Sequence, residues 1–242
     1  MSTVLDATKR AARVNIVSRE IALLRGRNGM ALAAVALTAF GAIFTLVKAR
    51  RSDEVDIAIT LRLQARQHRP LGALMELVSW PGFPPQSHFI PPVVIATLFV
   101  MRLRTEAAFQ MLAWGTGGIS TIVKGFVHRP RPLPEQVRVV LAPLGGSSFP
   151  SGHVLTYVGT YGFLAYLCYT LIRPPLTRWP LSLGLVGMLA LVGPSRIYQG
   201  HHWPTDVAAS YFLGTSYLIA VIALYRRVRG RGVVPPDDPI AE

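Results

Sequence analysis

With a single cysteine, Cys168, the 242-residue chain cannot close a disulfide within itself, which excludes a disulfide-stapled secreted fold. Charge is also scarce: 15% of residues are Asp, Glu, Lys or Arg against 51% apolar, and mean hydropathy is +0.38. A disordered chain needs the opposite balance, so disorder is excluded for the bulk of it. Acids are the scarcest charge, 12 against 25 Lys and Arg, which leaves a formal charge of +13. A basic surplus suits nucleic acid when it forms a stripe. Here it gathers at Lys9 to Arg27, Lys48 to Arg51, Arg102 with Arg104, Arg173 with Arg178, and Arg226 to Arg231, always between apolar stretches. That placement fits topology signals and anionic headgroup contacts at a membrane border, and no nucleic-acid partner is expected.

The apolar stretches are six: Met30 to Val47, Phe89 to Met101, Ala107 to Val123, Val154 to Ile172, Trp179 to Gly193 and Val207 to Tyr225. None contains Asp, Glu, Lys or Arg, which removes the usual marks of an ion or substrate pathway through a membrane. Cys168 falls inside the fourth run, where a small core side chain is the simplest reading. A spanning helix takes about 17 to 25 residues, so four runs qualify outright and the second and fifth must borrow flanking residues or sit inside a bundle. The expected fold is all-α, a polytopic membrane protein with a bundle of six transmembrane helices over residues 30–225. A hydrophilic cytoplasmic segment, 1–29, is expected before it, without the pattern of a cleavable signal peptide. A basic segment and disordered tail, 226–242, is expected after it. Lys and Arg counted on alternate sides favour cytoplasmic termini once Lys124, Arg131 and Arg196 are set aside for chemistry.

Between the first two runs, Leu71, Leu74, Met75 and Val78 recur at helical spacing before the breaker cluster Trp80-Pro81-Gly82-Phe83-Pro84-Pro85. The pattern predicts a short amphipathic helix over Leu71 to Trp80, lying at the outer interface or packed on the bundle.

Chemistry-bearing residues concentrate in two loops, 124–153 and 195–206, both extracytoplasmic by the charge count. Lys124, Arg131 and Arg196 offer three cations, and Arg forks readily onto phosphate oxygens. Ser151 adds a hydroxyl, Gly152 lets backbone approach a ligand, and the fourth run begins there with free N–H groups. Together these favour a phosphoryl group, although any one Arg at a membrane border, taken alone, is better read as a headgroup or topology contact. His202 and Asp206 are four apart at the start of the sixth helix, so a carboxylate accepting the Nδ1 proton would leave Nε2 free to attack. His201 stands five residues from Asp206 and points about 100° away. His153, at the mouth of another helix, suits the acid for a leaving oxygen. Singly, each His also fits a polar helix-end residue satisfied by water.

Lys124 with six residues before Arg131-Pro132, then Pro150-Ser151-Gly152-His153, then Ser195-Arg196 with five before His202 and three before Asp206, resembles the tripartite signature of the type 2 phosphatidic acid phosphatase superfamily. That superfamily includes bacterial lipid phosphatases and undecaprenyl-diphosphatases and shares its pocket with vanadium haloperoxidases. The resemblance implies that His202 is the nucleophile forming a phosphohistidine, that Asp206 orients it and that His153 protonates the leaving group. Lys124, Arg131, Ser151, Gly152 and Arg196 would then hold the phosphoryl oxygens, with no metal or other cofactor required. The expected substrate is a lipid phosphate drawn from the bilayer, with undecaprenyl diphosphate favoured and phosphatidic acid or phosphatidylglycerophosphate next. A lipid phosphotransferase would use the same site. A haloperoxidase fits poorly with a lipid-facing pocket, and a transporter fits poorly with uncharged runs.

Overall fold

The computed structural model describes residues 19–140 and 145–230, all helix, turn or loop. The expected tail over 233–242 and residues 1–18 of the expected N-terminal segment lie outside the described residues. Nine helices follow in chain order among the described residues: α1 (Arg19–Lys48), α2 (Asp53–Gln64), α3 (Arg69–Ser79), α4 (Gln86–Val100), α5 (Arg104–Trp114), α6 (Thr116–Phe126), α7 (Gly152–Leu171), α8 (Pro175–Tyr198) and α9 (Pro204–Gly230).

Among the described residues four helices are long and apolar enough to cross a membrane: Gly26–Lys48 within α1, α7, α8, and Pro204–Arg229 within α9. Length and composition alone do not reach the six expected spans, and two of the expected runs take another form. The second run becomes α4, 15 residues long and short of a full crossing. The third run is two helices of 11 residues each, α5 and α6, meeting at Gly115. Gly115, Gly117 and Gly118 are poor helix formers, and the Thr116 hydroxyl bonds the Ala113 carbonyl at 3.1 Å, so the chain bends where its propensity is lowest. The partner helix α7 yields at the same level. It opens a wide π turn over Tyr157–Tyr161, with Gly159 pressed so close that an added Cβ would stand 2.3 Å from the Ala113 carbonyl oxygen.

The fifth run does borrow flanking residues, α8 reaching from Pro175 to Tyr198. Helices α1 and α9 both extend beyond their apolar runs, so Arg19 to Gly29 and Arg226 to Gly230 are helical where a polar segment and a basic tail were expected.

Packing runs α1 on α9, α7 on α8, α4 on α5 and α3 on α8. Large apolar side chains such as Leu37, Val93, Ile122, Val186 and Leu224 face outward, while Glu106, Gln110, Thr160, Arg196 and Asp206 are fully buried. A water-soluble fold sorts these the other way, so the surround that suits this surface is hydrocarbon. At one end of the bundle Glu106 takes the Arg229 guanidinium and the Tyr225 hydroxyl, the latter at 2.8 Å. These donors satisfy a carboxylate that is fully buried.

The predicted amphipathic helix is α3, Arg69–Ser79. Met75 and Val78 are buried and α3 packs on α8, while Leu77 and Trp80 stay exposed, so the helix both packs on the bundle and shows an apolar flank.

Candidate active site

The two loops singled out in the sequence meet at one end of α6, α7 and α9. Ser151 caps the start of α7; its N–H donates to the Ser210 hydroxyl at 2.8 Å, and that hydroxyl donates to the Asp206 carbonyl at 2.6 Å. The first bond ties the start of α7 to the second turn of α9, and the second holds the Ser210 hydroxyl against the turn that carries Asp206. A cavity of about 450 Å³ opens beside them, lined by Lys124, Arg131, Gly152, His153 and His202, with Ser87 and His88 of α4 and Gly117, Ser120 and Thr121 of α6 on its flank. The structure thus gathers five of the eight expected site residues around one space. A Cβ on Gly152 would stand 3.3 Å from the Ser120 hydroxyl and 3.9 Å from Lys124 Nζ, so glycine keeps open the gap beside the lysine.

Buried almost completely, His202 directs its two nitrogens to different partners. Nδ1 lies 2.8 Å from the Ser148 carbonyl, which can only accept, so Nδ1 carries the proton. Nε2 then has a lone pair, and Arg131 Nη1 stands 3.3 Å from it. Burial first, and then the cations Arg131, Arg196 and Lys124, hold the His202 imidazole well below its usual pKa, so it is neutral at pH 7.

Asp206 is placed differently from the sequence expectation. Its Oδ2 is 3.6 Å from His202 Nδ1, close enough for charge but outside hydrogen-bond range. Both carboxylate oxygens already have other donors: Oδ1 accepts from Arg129 Nη1 at 2.7 Å and Oδ2 from the Trp203 N–H at 2.9 Å. Backbone therefore sets the imidazole tautomer, and the carboxylate supplies field.

Ser151 and Arg196 are buried and do not border the cavity. The Ser151 hydroxyl has no partner among the described residues. Arg196 spends its guanidinium on the Ser79 hydroxyl at 3.2 Å, Gln199 Oε1 at 2.8 Å and His201 Nδ1, and sits over the Phe83 ring with 4.7 Å to its centre. His201 has both nitrogens occupied, since Nε2 meets the Val140 carbonyl at 2.5 Å. Burial, with Arg196 next to it, lowers its pKa to about 4.

His153 Nε2 is buried with no partner among the described residues, an atom left free for a ligand. Its ring meets Phe83 edge-on at 4.7 Å between centres. Gly82, from the breaker cluster, leaves no room for a side chain: a Cβ would stand 2.3 Å from His153 Cδ2 and 2.9 Å from Nε2. Gly82→Ala must therefore swing the His153 ring. A misplacement on the order of 1 Å costs about 100-fold in rate, so turnover should fall by about 10- to 100-fold while thermal stability in detergent changes little. Unchanged turnover would mean that the ring position is not critical.

Sequence reading missed Arg129, Asp56 and Gly82. Arg129 is one residue of an Arg-Pro-Arg-Pro string whose second Arg took the attention, and Asp56 lies far upstream in α2. Among the described residues no three His, Cys, Asp or Glu side chains converge as metal ligands.

The family model of the PAP2 superfamily matches residues 104–229, just over half of the chain and all of both loops. The chain belongs to the PAP2 superfamily. Over 137 residues it is 31% identical to phosphatidylglycerophosphatase B of Bacillus subtilis (strain 168), covering 53% of this chain and 64% of that protein. Over 112 residues it is 34% identical to the undecaprenyl-diphosphatase BcrC of the same organism, covering 44% of this chain and 53% of that one. The match thus spans less than two thirds of either relative's length. Among solved structures, the first transmembrane PAP2 type phosphatidylglycerolphosphate phosphatase from Bacillus subtilis superposes with a TM-score of 0.70 at 20% identity, over 81% of this chain and 96% of that one. Aquifex aeolicus LpxE superposes with a TM-score of 0.54 at 23% identity, over 69% and 93%. At these identities the superpositions show a shared fold. With the apolar helices they make this PAP2 chain a multi-pass membrane protein.

Proposed function

We propose that this PAP2 protein is a membrane phosphatase that hydrolyses a lipid phosphate monoester or diphosphate through a phosphohistidine on His202. The observation that carries the reading is the set of groups around one cavity: an imidazole whose Nε2 lone pair faces Arg131, two cations, and a second histidine with an unengaged Nε2. The bound phosphoryl anion holds a proton on His153, His202 Nε2 attacks the terminal phosphorus, and the bond from that phosphorus to the leaving oxygen breaks, the lipid oxygen of a monoester or the bridging oxygen of a diphosphate, which takes the proton of His153. Water then attacks the same phosphorus, giving a proton to His153, the phosphorus–nitrogen bond breaks, and phosphate and neutral His202 are released. Lys124 and Arg131 bear the phosphoryl charge, the Ser151 hydroxyl and the Gly152 amide lie at the start of α7 to receive oxygens, and Arg196 moves from its internal contacts to join them. Asp206 steadies the imidazolium formed on attack.

A lipid suits the cavity, because its flank is made by the apolar helices α4 and α6 and not by a soluble domain. Undecaprenyl diphosphate is the favoured substrate, from the resemblance and an outward-facing site, with phosphatidic acid and phosphatidylglycerophosphate next. In this reading residues 30–225 form the phosphatase domain, the six apolar runs make six crossings with α5 and α6 sharing one, both termini are cytoplasmic and the site is extracytoplasmic.

The test is phosphate release from a panel of lipid phosphates by protein purified in detergent, with His202→Ala as the blank. Hydrolysis is expected to survive EDTA, since cations already stand where a metal would neutralise charge, and to be inhibited by vanadate. Activity lost in EDTA and restored by magnesium would refute the metal-free route, and no release from any lipid would refute the function.

A further inference from the structure

Arg129 is 7% exposed and joins three elements. Its Nη1 donates to Asp206 Oδ1 and to the Thr205 hydroxyl, both at 2.7 Å; its Nη2 donates to Asp56 Oδ2 at 2.5 Å and to Asp53 Oδ1 and the Ser52 hydroxyl, both at 3.2 Å. Asp56 and Asp206 are fully buried on opposite sides of this one guanidinium. Asp56 also accepts from the Thr205 N–H at 2.9 Å and the Thr205 hydroxyl at 2.7 Å, gripping the residue beside Asp206. Burial works against a charged Arg129, but Asp206 and Asp56 outweigh it and raise its pKa above the usual guanidinium value.

Asp56 belongs to a stripe of every fourth residue along α2, Ser52, Asp56, Thr60 and Gln64, all buried. At its far end Gln64 Nε2 donates to the Arg138 and Tyr198 carbonyls, and Gln64 Oε1 accepts from the Arg138 N–H. One polar face of α2 therefore holds both active-site loops from outside the segment that the family model matches.

We infer that Arg129 and Asp56 are positioning residues for this site, acting through Asp206 on His202; the inference rests on the function proposed above. When Nε2 bonds phosphorus the imidazole becomes cationic and its Nδ1–H needs a nearby negative charge. Asp206 lies 3.6 Å from Nδ1 and also feels Lys124 and Arg131 across the cavity. A free carboxylate there would rotate toward whichever cation is nearer. Arg129 fixes its orientation and opposes the burial that works against its charge, without occupying the face that meets His202. Asp56 in turn keeps Arg129 from swinging into the cavity, because a guanidinium held on both forks has one low-energy pose.

The experiment compares Arg129→Gln, Arg129→Lys, Asp56→Asn and the Arg129→Gln/Asp56→Asn double variant in the full chain in detergent. It reads kcat and KM for the lipid phosphate that the wild type cleaves, and the inhibition constant of inorganic phosphate. Arg129→Gln should lower kcat by about 100-fold with KM and phosphate inhibition within about 3-fold, the pattern of an interaction expressed in the transition state. Lys should recover part of kcat, and Asp56→Asn should lower it by about 10-fold. The double variant should be little worse than Arg129→Gln alone, since both changes break one chain of contacts. Phosphate inhibition reports on the folded site, so a merely structural role would show as lost phosphate binding in proportion to lost kcat. That result, or wild-type kcat in Arg129→Gln and Asp56→Asn, or losses that multiply in the double variant, would overturn the inference. Should Arg129→Gln not fold, Arg129→Lys and Asp56→Asn decide alone. A wild type that cleaves no lipid phosphate sinks the function and this inference with it, whereas an active wild type matched by its variants sinks only the inference.

Discussion

His202→Ala is expected to abolish turnover, a loss on the order of 10⁴-fold or more, because it removes the cavity-lining imidazole whose Nδ1–H is held by the Ser148 carbonyl and whose Nε2 lone pair is thereby turned outward to attack. His201 is next in sequence but not in geometry: its nitrogens are spent on Arg196 and on the Val140 carbonyl. His201→Ala should therefore act through Arg196 and the 138–140 loop, lowering the rate by about 10-fold, or roughly 1.4 kcal/mol. Trapping the acid-labile phosphohistidine with radiolabelled substrate separates the two. Label should be absent in His202→Ala and present in His201→Ala, and the opposite result would reverse the assignment. Asp206→Asn bears on the same step. Since the Ser148 carbonyl already holds Nδ1–H, the amide should leave the tautomer intact and reduce turnover through lost charge, with little change in phosphate inhibition.

His153→Ala has the second-largest expected effect, and its size should depend on the leaving group. A lipid alkoxide departs poorly without a proton, so removing the acid should cost about 10²- to 10⁴-fold on a lipid phosphate monoester. A p-nitrophenolate departs without one, and on p-nitrophenyl phosphate the same variant should lose less than about 10-fold. Equal losses on both substrates would assign His153 to phosphate binding and not to proton transfer. The unengaged Nε2 fits either role, and the comparison of leaving groups distinguishes them.

The spacing of Lys124, Arg131, Ser151, Gly152, His153, Arg196, His202 and Asp206 made the candidate site legible, and the absence of charge in the apolar runs made an all-helical membrane fold legible. Both signals are local. A four-residue step reports one helical turn, and an uncharged run reports its own preference for hydrocarbon. What depended on distant partners was not legible. The break at Gly115 needed Gly159 and the π turn of α7 on the facing side. Gly82 reads as one residue of a turn until His153, brought from far along the chain, occupies the place of its side chain. Asp206 was expected to hold the Nδ1 proton because sequence shows only that the two residues share a helical turn.

The sequence by itself determined the membrane character, the PAP2 signature and which residue types gather at the candidate site, since composition and short spacings carry that information. Only the tertiary structure decided that the Ser148 carbonyl orients His202, that Arg129 takes Asp206, and that Asp56 of α2 closes the chain of contacts. Hydrogen bonds go to the nearest satisfied geometry in three dimensions, and the donors for Asp206 come from residues 77 positions away and from its own helix entrance. No periodicity along the chain encodes a choice among such competing partners.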